Sequence, residues 1–355
     1  MRLIIQIPCY NEEGMIAKTL ADLPKNIDGI DDISVMVVDD GSTDDTVNVA
    51  IENGVDYVVK HSKNRGLANT FSTGIDAALR LGADIIVNTD GDNQYRGECI
   101  VDLVKPIVER QSEIVIGTRP IKEIDDFSST KKYLQRMGSY VVSKFAGIKI
   151  PDTTSGFRAY SRKAAMSLTV VSSFTYTLET IIQAGRRRIP MISVPIKTNK
   201  KTRESRLFGS SAEYVARSIR DIILISTQVK PIRSFGFIGG TSVLIGVILG
   251  LRFLGLLYLS GGDFYGESGH VQSLILSAIF IIFGSTSFLV GLIADQVGAN
   301  RIILEKIYEQ NRINTYNNNV NSEVNPNIIF TKTFDDDALS ASPSLDNSKA
   351  QSAAT

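Results

Sequence analysis

The chain has no tryptophan, and only two cysteines and two histidines among 355 residues. Cys9 and Cys99 lie far apart, which excludes a disulfide framework and a zinc-site spacing and fits a reducing compartment. His61 and His270 are the only histidines, so acid–base chemistry built on imidazole has few places to reside. The opening residues "MRLIIQIPCYNEE" carry too short an apolar run for a secretory signal and read as a first strand. The formal net charge is zero, and no nucleic-acid partner is expected.

Neutrality hides an asymmetry. Between Arg186 and Arg233 stand twelve Lys or Arg against Glu204, Glu213 and Asp221, so an anionic neighbour is expected there. Apolar residues make up 43% of the chain, enough for a sizeable core.

Short runs rich in Ile and Val at 3–8, 33–38, 56–59, 84–88 and 113–116 predict strands buried on both faces. Between them "EEGMIAKTLADL", "TDDTVNVAIENG", "LANTFSTGIDAALRLG" and "ECIVDLVKPIVER" have helical spacing. The alternation predicts an α/β fold with an open, mostly parallel sheet flanked by helices. Such sheets bind ligands at the carboxyl ends of their strands, where "PCYNEE", "DDGSTDD", "TDGDNQY" and "GTRP" all fall.

After Arg233 the composition changes. Residues 235–259 and 271–294 are apolar runs long enough, at roughly 1.5 Å per residue, to cross a hydrocarbon core of about 30 Å. The loop between them has two acidic and no basic residues, whereas Arg301, Lys306 and Arg312 follow the second run, which predicts a multi-pass protein with both termini cytoplasmic. The expected organisation is a cytoplasmic α/β domain over 1–212, an amphipathic interfacial helix over 213–233, two spans within 234–296, a cytoplasmic helix over 297–316 and a disordered polar tail over 317–355.

Asp90 and Asp92, one residue apart after a strand, resist joint ionisation unless a cation or hydrogen-bond donors attend them. A divalent metal, Mg2+ or Mn2+, shared with substrate phosphates is the simplest solution. "VVDDGSTDDT" repeats the arrangement, with Asp39 and Asp40 ending a strand, Gly41 turning, and Ser42 or Thr43 placed to cap the next helix.

"IPCYNEE", "VVDDGSTDDT", "NTDGDNQY", "GTR" and "DTTSGFRAYSR" occur in the order and approximate spacing of the family 2 glycosyltransferases, whose nucleotide-sugar-binding fold, GT-A, is Rossmann-like. Within that family the chain most resembles the polyprenyl-phosphate glycosyltransferases, such as dolichyl-phosphate mannose synthases and bacterial two-span undecaprenyl-phosphate glucosyltransferases. The resemblance implies that Pro8, Tyr10, Asn11, Glu12, Asp39 and Asp90 serve the nucleotide sugar, and that Asp90, Asp92 and Gln94 hold the metal. It further implies that Arg119, Arg203, Ser205 and Arg206 grip phosphate, and that Ser155 and Arg158, with Asp152, shape the acceptor side. Asp92, Arg119 and Arg203 are the expected catalytic residues. Gly91 stands where the family often has Ala, a change expected to be harmless.

The implied reaction moves a hexose, from UDP-glucose ahead of GDP-mannose, to a membrane polyprenyl phosphate with inversion. A phosphate acceptor is already largely a dianion at neutral pH and needs no general base. A hydroxyl acceptor, as in a polysaccharide synthase, stays open through Asp152 and Glu179, although the absent tryptophan removes the Gln-x-x-Arg-Trp motif of such enzymes. A non-catalytic membrane-tethered sugar-nucleotide binder and homo-oligomerisation also stay open.

Overall fold

The computed structural model describes residues 1–119, 138–140, 142–143, 147–148, 150–170, 176–199, 231–259, 271–318 and 328–330. Five strands lie where the apolar runs predict them: β1 (Arg2–Cys9), β2 (Asp32–Asp39), β3 (Tyr57–Lys60), β4 (Ile85–Asn88) and β5 (Ile114–Thr118). Three more complete the sheet: β6 (Arg158–Ser161), β7 (Met191–Pro195) and β8 (Ile328–Phe330). Their order is β7-β5-β6-β4-β1-β2-β3-β8. Strands β1 to β5 and β7 run the same way, while β6 and β8 are antiparallel to their neighbours.

Alternation along β1 explains why the sheet is covered twice. Leu3, Ile5 and Ile7 join one core cluster with Ile100, Leu103 and Val104, and Ile4 joins the other with Phe71, Ile75 and Tyr160. Helices α1 (Ile16–Ala21), α2 (Thr46–Glu52) and α4 (Ile100–Val108) belong to the first layer, and α3 (Leu67–Arg80), α5 (Arg162–Ser167) and α6 (Tyr176–Arg186) to the second. In α3, Ala68, Phe71, Ile75, Ala78 and Leu79 recur at helical spacing and are all buried. The carboxyl ends of β1, β2 and β4 thus form one edge, with the strand order reversing at β1.

The C-terminal part departs from the expected divisions. Helix α7 (Pro231–Leu259) begins at Pro231, inside the stretch expected to end an interfacial helix; residues 213–230 of that expectation lie outside the described residues. Helix α8 (Val271–Asn318) continues without interruption for 48 residues, so the span and the expected separate cytoplasmic helix are one rod roughly 72 Å long. No proline interrupts it, and the charges that start at Asp295 do not break a helix. Both helices contain windows of mean hydropathy 2.2 with only 17% of the window buried, long and apolar enough to cross a membrane. They pack through small residues: a Cβ on Gly239 would lie 2.7 Å from the Gly284 carbonyl, and Ser277 Oγ donates to the Gly246 carbonyl at 2.7 Å.

Beyond the apolar stretch α8 lies against the α/β domain. Arg301 donates to Glu179 Oε1 at 2.6 Å, Arg187 pairs with Glu305 and Glu309, and Arg312 donates to the Ala165 and Leu168 carbonyls at 3.2 and 3.0 Å. Tyr316 donates to Asp76 of α3. The tail is not wholly irregular either, since Ile328–Phe330 pairs with Tyr57–Val59 and covers the edge of β3.

Candidate active site

Two loops at the carboxyl edge are clasped together. Asn11, with φ 55, and Glu12 donate their N–H groups to Ser42 Oγ at 2.9 Å and Thr46 Oγ1 at 2.8 Å. Thr43 N–H returns a bond to Asn11 Oδ1 at 2.9 Å. Asparagine tolerates this left-handed backbone because its short polar side chain bonds locally. The cap of α2 is Asp45, so Ser42 and Thr43, expected to cap that helix, instead bind the β1 loop.

Asp39 is fully buried, its carboxylate accepting the Ser42 N–H at 3.2 and 3.3 Å; it shapes the turn rather than standing open to a nucleoside. Asp40, also buried, gathers the Arg65 and Gly66 N–H groups at 2.8 Å each and His61 Nδ1 at 2.9 Å. A carboxylate only accepts, which fixes Nδ1 as the donor. His61 Nε2 lies 3.0 Å from Thr73 Oγ1. Nothing in the local sequence marks His61 for this role, because its partner is twenty-one positions upstream.

The β4 loop carries the paired aspartates. Asp90 and Asp92 are half-buried, and Asp92 Oδ1 accepts the Gln94 N–H at 3.0 Å. Asn93, with φ 54, turns toward Asn199, whose Nδ2 donates to the Asn93 carbonyl at 3.0 Å. Burial, the Asp92 charge and Glu12 push the Asp90 carboxyl up to about 7, against the pull of Arg119. Among the described residues no three His, Cys, Asp or Glu side chains make a ready-made ligand set. Two half-buried carboxylates that resist joint ionisation, with oxygen donors only, fit a hard divalent cation that completes its shell from a substrate.

Behind this loop lies a buried amide network. Asn88 accepts from Gln6 Nε2 at 2.8 Å and donates to the Gly156 carbonyl at 2.9 Å and the Tyr176 hydroxyl at 3.0 Å. Gly156 touches Asp90 so closely that a Cβ there would stand 3.2 Å from Oδ1. Gly91 is also confined, its notional Cβ lying 2.8 Å from Cys9 Sγ, so an alanine between the aspartates would have to displace that thiol.

Arg119, at the end of β5, is bound to Asp152 by Nε to Oδ2 at 2.7 Å and by NH2 to Oδ1 at 3.2 Å, and its NH2 also reaches Thr154 Oγ1 at 3.0 Å. Burial alone would raise the Asp152 carboxyl, but the guanidinium and Thr154 outweigh it and hold it below the usual range. Arg158 stands elsewhere. It is fully buried and spends its donors on the Ser155, Thr177 and Thr153 carbonyls and Thr180 Oγ1, at 2.8 to 2.9 Å.

Residues 4–169 match the family model described as Glycosyl transferase family 2. An uncharacterized protein of Methanocaldococcus jannaschii is 32% identical over 55% of this chain and 81% of its own length. The UDP-N-acetylglucosamine–dolichyl-phosphate N-acetylglucosaminyltransferase of Methanococcus voltae is 31% identical over 54% and 83%. The chain belongs to glycosyl transferase family 2. An undecaprenyl-phosphate mannosyltransferase of Micrococcus luteus is 26% identical over 59% of this chain and 88% of its own. Among solved structures, glucosyl-3-phosphoglycerate synthase from Mycobacterium tuberculosis, with Mn2+, UDP and phosphoglyceric acid, covers 62% of this chain and 78% of its own at 19% identity and a TM-score of 0.49, too distant to bear on chemistry.

The chain is thus a glycosyltransferase built on a mostly parallel mixed sheet, and its relatives include dolichyl-phosphate and undecaprenyl-phosphate sugar transferases. In this family 2 transferase, Asp90, Asp92, Arg119, Asp152 and Glu12 gather around the β4 loop. Tyr10 stands exposed on the rim and Pro8 is buried in β1. Two assignments are corrected: Arg158 and Ser155, expected on the acceptor side, are fully buried, and Arg158 supports the loop before β6. Arg203, Ser205 and Arg206 lie outside the described residues.

Proposed function

We propose that this transferase moves a hexose or N-acetylhexosamine from a nucleotide diphosphate to the phosphate of a membrane polyprenyl phosphate, with inversion and with Mg2+ or Mn2+. UDP-glucose leads GDP-mannose as donor on the sequence, and the UDP-N-acetylglucosamine relative puts that sugar beside them. The observation that carries the phosphate acceptor is that both carboxylates left open as bases are taken: Asp152 by Arg119, and Glu179 by Arg301 of α8. A hydroxyl acceptor needs a proton taken from it; a phosphate dianion does not.

Asp90 and Asp92, with Gln94 beside them, would hold the cation, which when bound offsets the charge on the leaving diphosphate. Asn11 and Glu12 keep the β1 loop against the Ser42 turn, which shapes the nucleotide end of the cleft. Arg119, held by Asp152 beside Asp90, places a fixed positive charge where phosphate oxygens gather. Arg203, Ser205 and Arg206 are the proposed grip on the lipid phosphate. The two apolar helices place the lipid in reach, with both termini cytoplasmic.

Purified protein with a polyprenyl phosphate, Mn2+ and radiolabelled UDP-glucose, UDP-N-acetylglucosamine or GDP-mannose should give a labelled lipid extractable into organic solvent. Asp92→Ala should abolish it while unfolding at the wild-type temperature. No product from any of the three donors, or an active Asp92→Ala, overturns the reading. Topology is checked by Asp263→Cys, which a membrane-impermeant maleimide should label from outside intact cells.

A further inference from the structure

Arg312 is an anomaly among the arginines of the second layer. It is 8% exposed, and among the described residues it has no carboxylate partner. Its NH1 bonds two carbonyls and its guanidinium also reaches the Tyr316 hydroxyl, but its Nε has no acceptor, and the Tyr308 and Tyr316 rings lie 5.6 Å from its carbon Cζ. Asp76, the carboxylate of α3 bound to Tyr316, is also held by Arg80. A buried charge without a direct counter-charge is destabilising. Arg158 shows the alternative solution, with donors spread over four acceptors.

Arg312 also lines a cavity of about 370 Å3 between α3, α5 and α8. The walls bring a second guanidinium, Arg65, and the hydroxyl-bearing Ser72, Thr73 and Thr169 to the same space, with Asp76 the one acid among them. Two arginines with several hydroxyls and one already paired carboxylate suit a phosphate group. We infer that this cavity is a second anion site, taking a soluble phosphate-bearing molecule that supplies the missing counter-charge of Arg312. A bilayer headgroup is out of reach: Arg312 is eighteen positions beyond Ala294, so roughly 27 Å of helix separates it from the apolar run. His61 forms part of the wall, so occupancy would be felt by Asp40 and the loops at the carboxyl edge.

The site is independent of the donor and acceptor reading, and turnover is not its readout. The full chain is placed in phosphatidylcholine nanodiscs with EDTA, and its unfolding temperature is followed against inorganic phosphate, with chloride at equal ionic strength as control. The wild type should be stabilised by phosphate beyond chloride. Ser72→Leu, which fills the cavity and removes no charge, should lose that gain. Arg312→Gln should lose it too, because the guanidinium that would meet the phosphate is gone. A gain that survives in Ser72→Leu places phosphate elsewhere, the catalytic arginines included, and overturns the inference. No gain in the wild type, or one seen only with nanodiscs containing phosphatidic acid, also overturns it.

Discussion

Gly156→Ala tests whether the loop before β6 sets the position of Asp90. The backbone at Gly156 is not left-handed, so alanine is resisted by space alone. The new Cβ would meet the Tyr176 hydroxyl at 2.7 Å and the Asp90 oxygens at 3.2 and 3.6 Å. Tyr176 has little room to recoil, since its ring stacks on Phe71 with centroids 3.9 Å apart and its hydroxyl is held by Asn88. The strain therefore falls partly on Asp90. Overpacking of this kind costs about 1–3 kcal/mol, each worth roughly 2–4 °C in a domain of this size. Displacing a ligand through its supporting shell weakens metal binding by about 10–100-fold. Electron paramagnetic resonance titration with Mn2+ should show that loss, and Gly156→Ala/Tyr176→Phe, which removes the closest contact, should recover most of it. Wild-type Mn2+ affinity in Gly156→Ala, alongside a lowered unfolding temperature, would refute the coupling of this loop to Asp90.

Gly91→Ala should destabilise by about 1–2 kcal/mol through Cys9 Sγ, and Cys9→Ala should relieve it; strictly additive effects in denaturant unfolding would remove the contact as the cause. Arg158→Met leaves three buried carbonyls without their donor and should cost about 3–5 kcal/mol. If instead it folds with near wild-type stability and raises the acceptor KM, an acceptor role returns. Because burial and Asp92 hold the Asp90 carboxyl up to about 7, Mn2+ bound as proposed would have to displace a proton below that pH. Apparent Mn2+ affinity should fall about tenfold per pH unit below about 7 and level off above it, and a flat profile from pH 5.5 to 8 would contradict the coupling.

The legible parts of this molecule are those whose signal is local. Strands β1 to β5 are apolar on both faces because both faces are covered, and a run of Ile and Val says so by itself. The loops at their carboxyl ends follow from parallel topology, which is why the β1, β2 and β4 motifs come together. The arginines show where local reading stops. Arg119 and Arg158 both follow motif residues and look alike in sequence, yet one holds a carboxylate beside the cleft and the other is the rivet of a loop. Their partners lie up to thirty-five positions away, and no spacing rule reaches that far. Strand β6 is hidden for a related reason, since a four-residue run containing an arginine does not resemble a buried strand until that arginine is satisfied by the Ser155 and Thr153 loop carbonyls.

The uninterrupted α8 bears on how a membrane lipid meets this site. From Ala294 to Asn318 the rod extends roughly 36 Å past the apolar run, and Arg301, Glu305, Glu309, Arg312 and Tyr316 fasten it to α6, the α5 end and α3. The α/β domain is thus fastened to the same helix that carries the second apolar run. A second connection joins the end of β7 to the first apolar helix. By sequence, that interval, from the end of β7 to the start of α7, contains most of the basic excess between Arg186 and Arg233. On the proposed polyprenyl-phosphate reading, positive charge in that interval would attract a lipid phosphate, a role that a neutral linker of the same length would not serve.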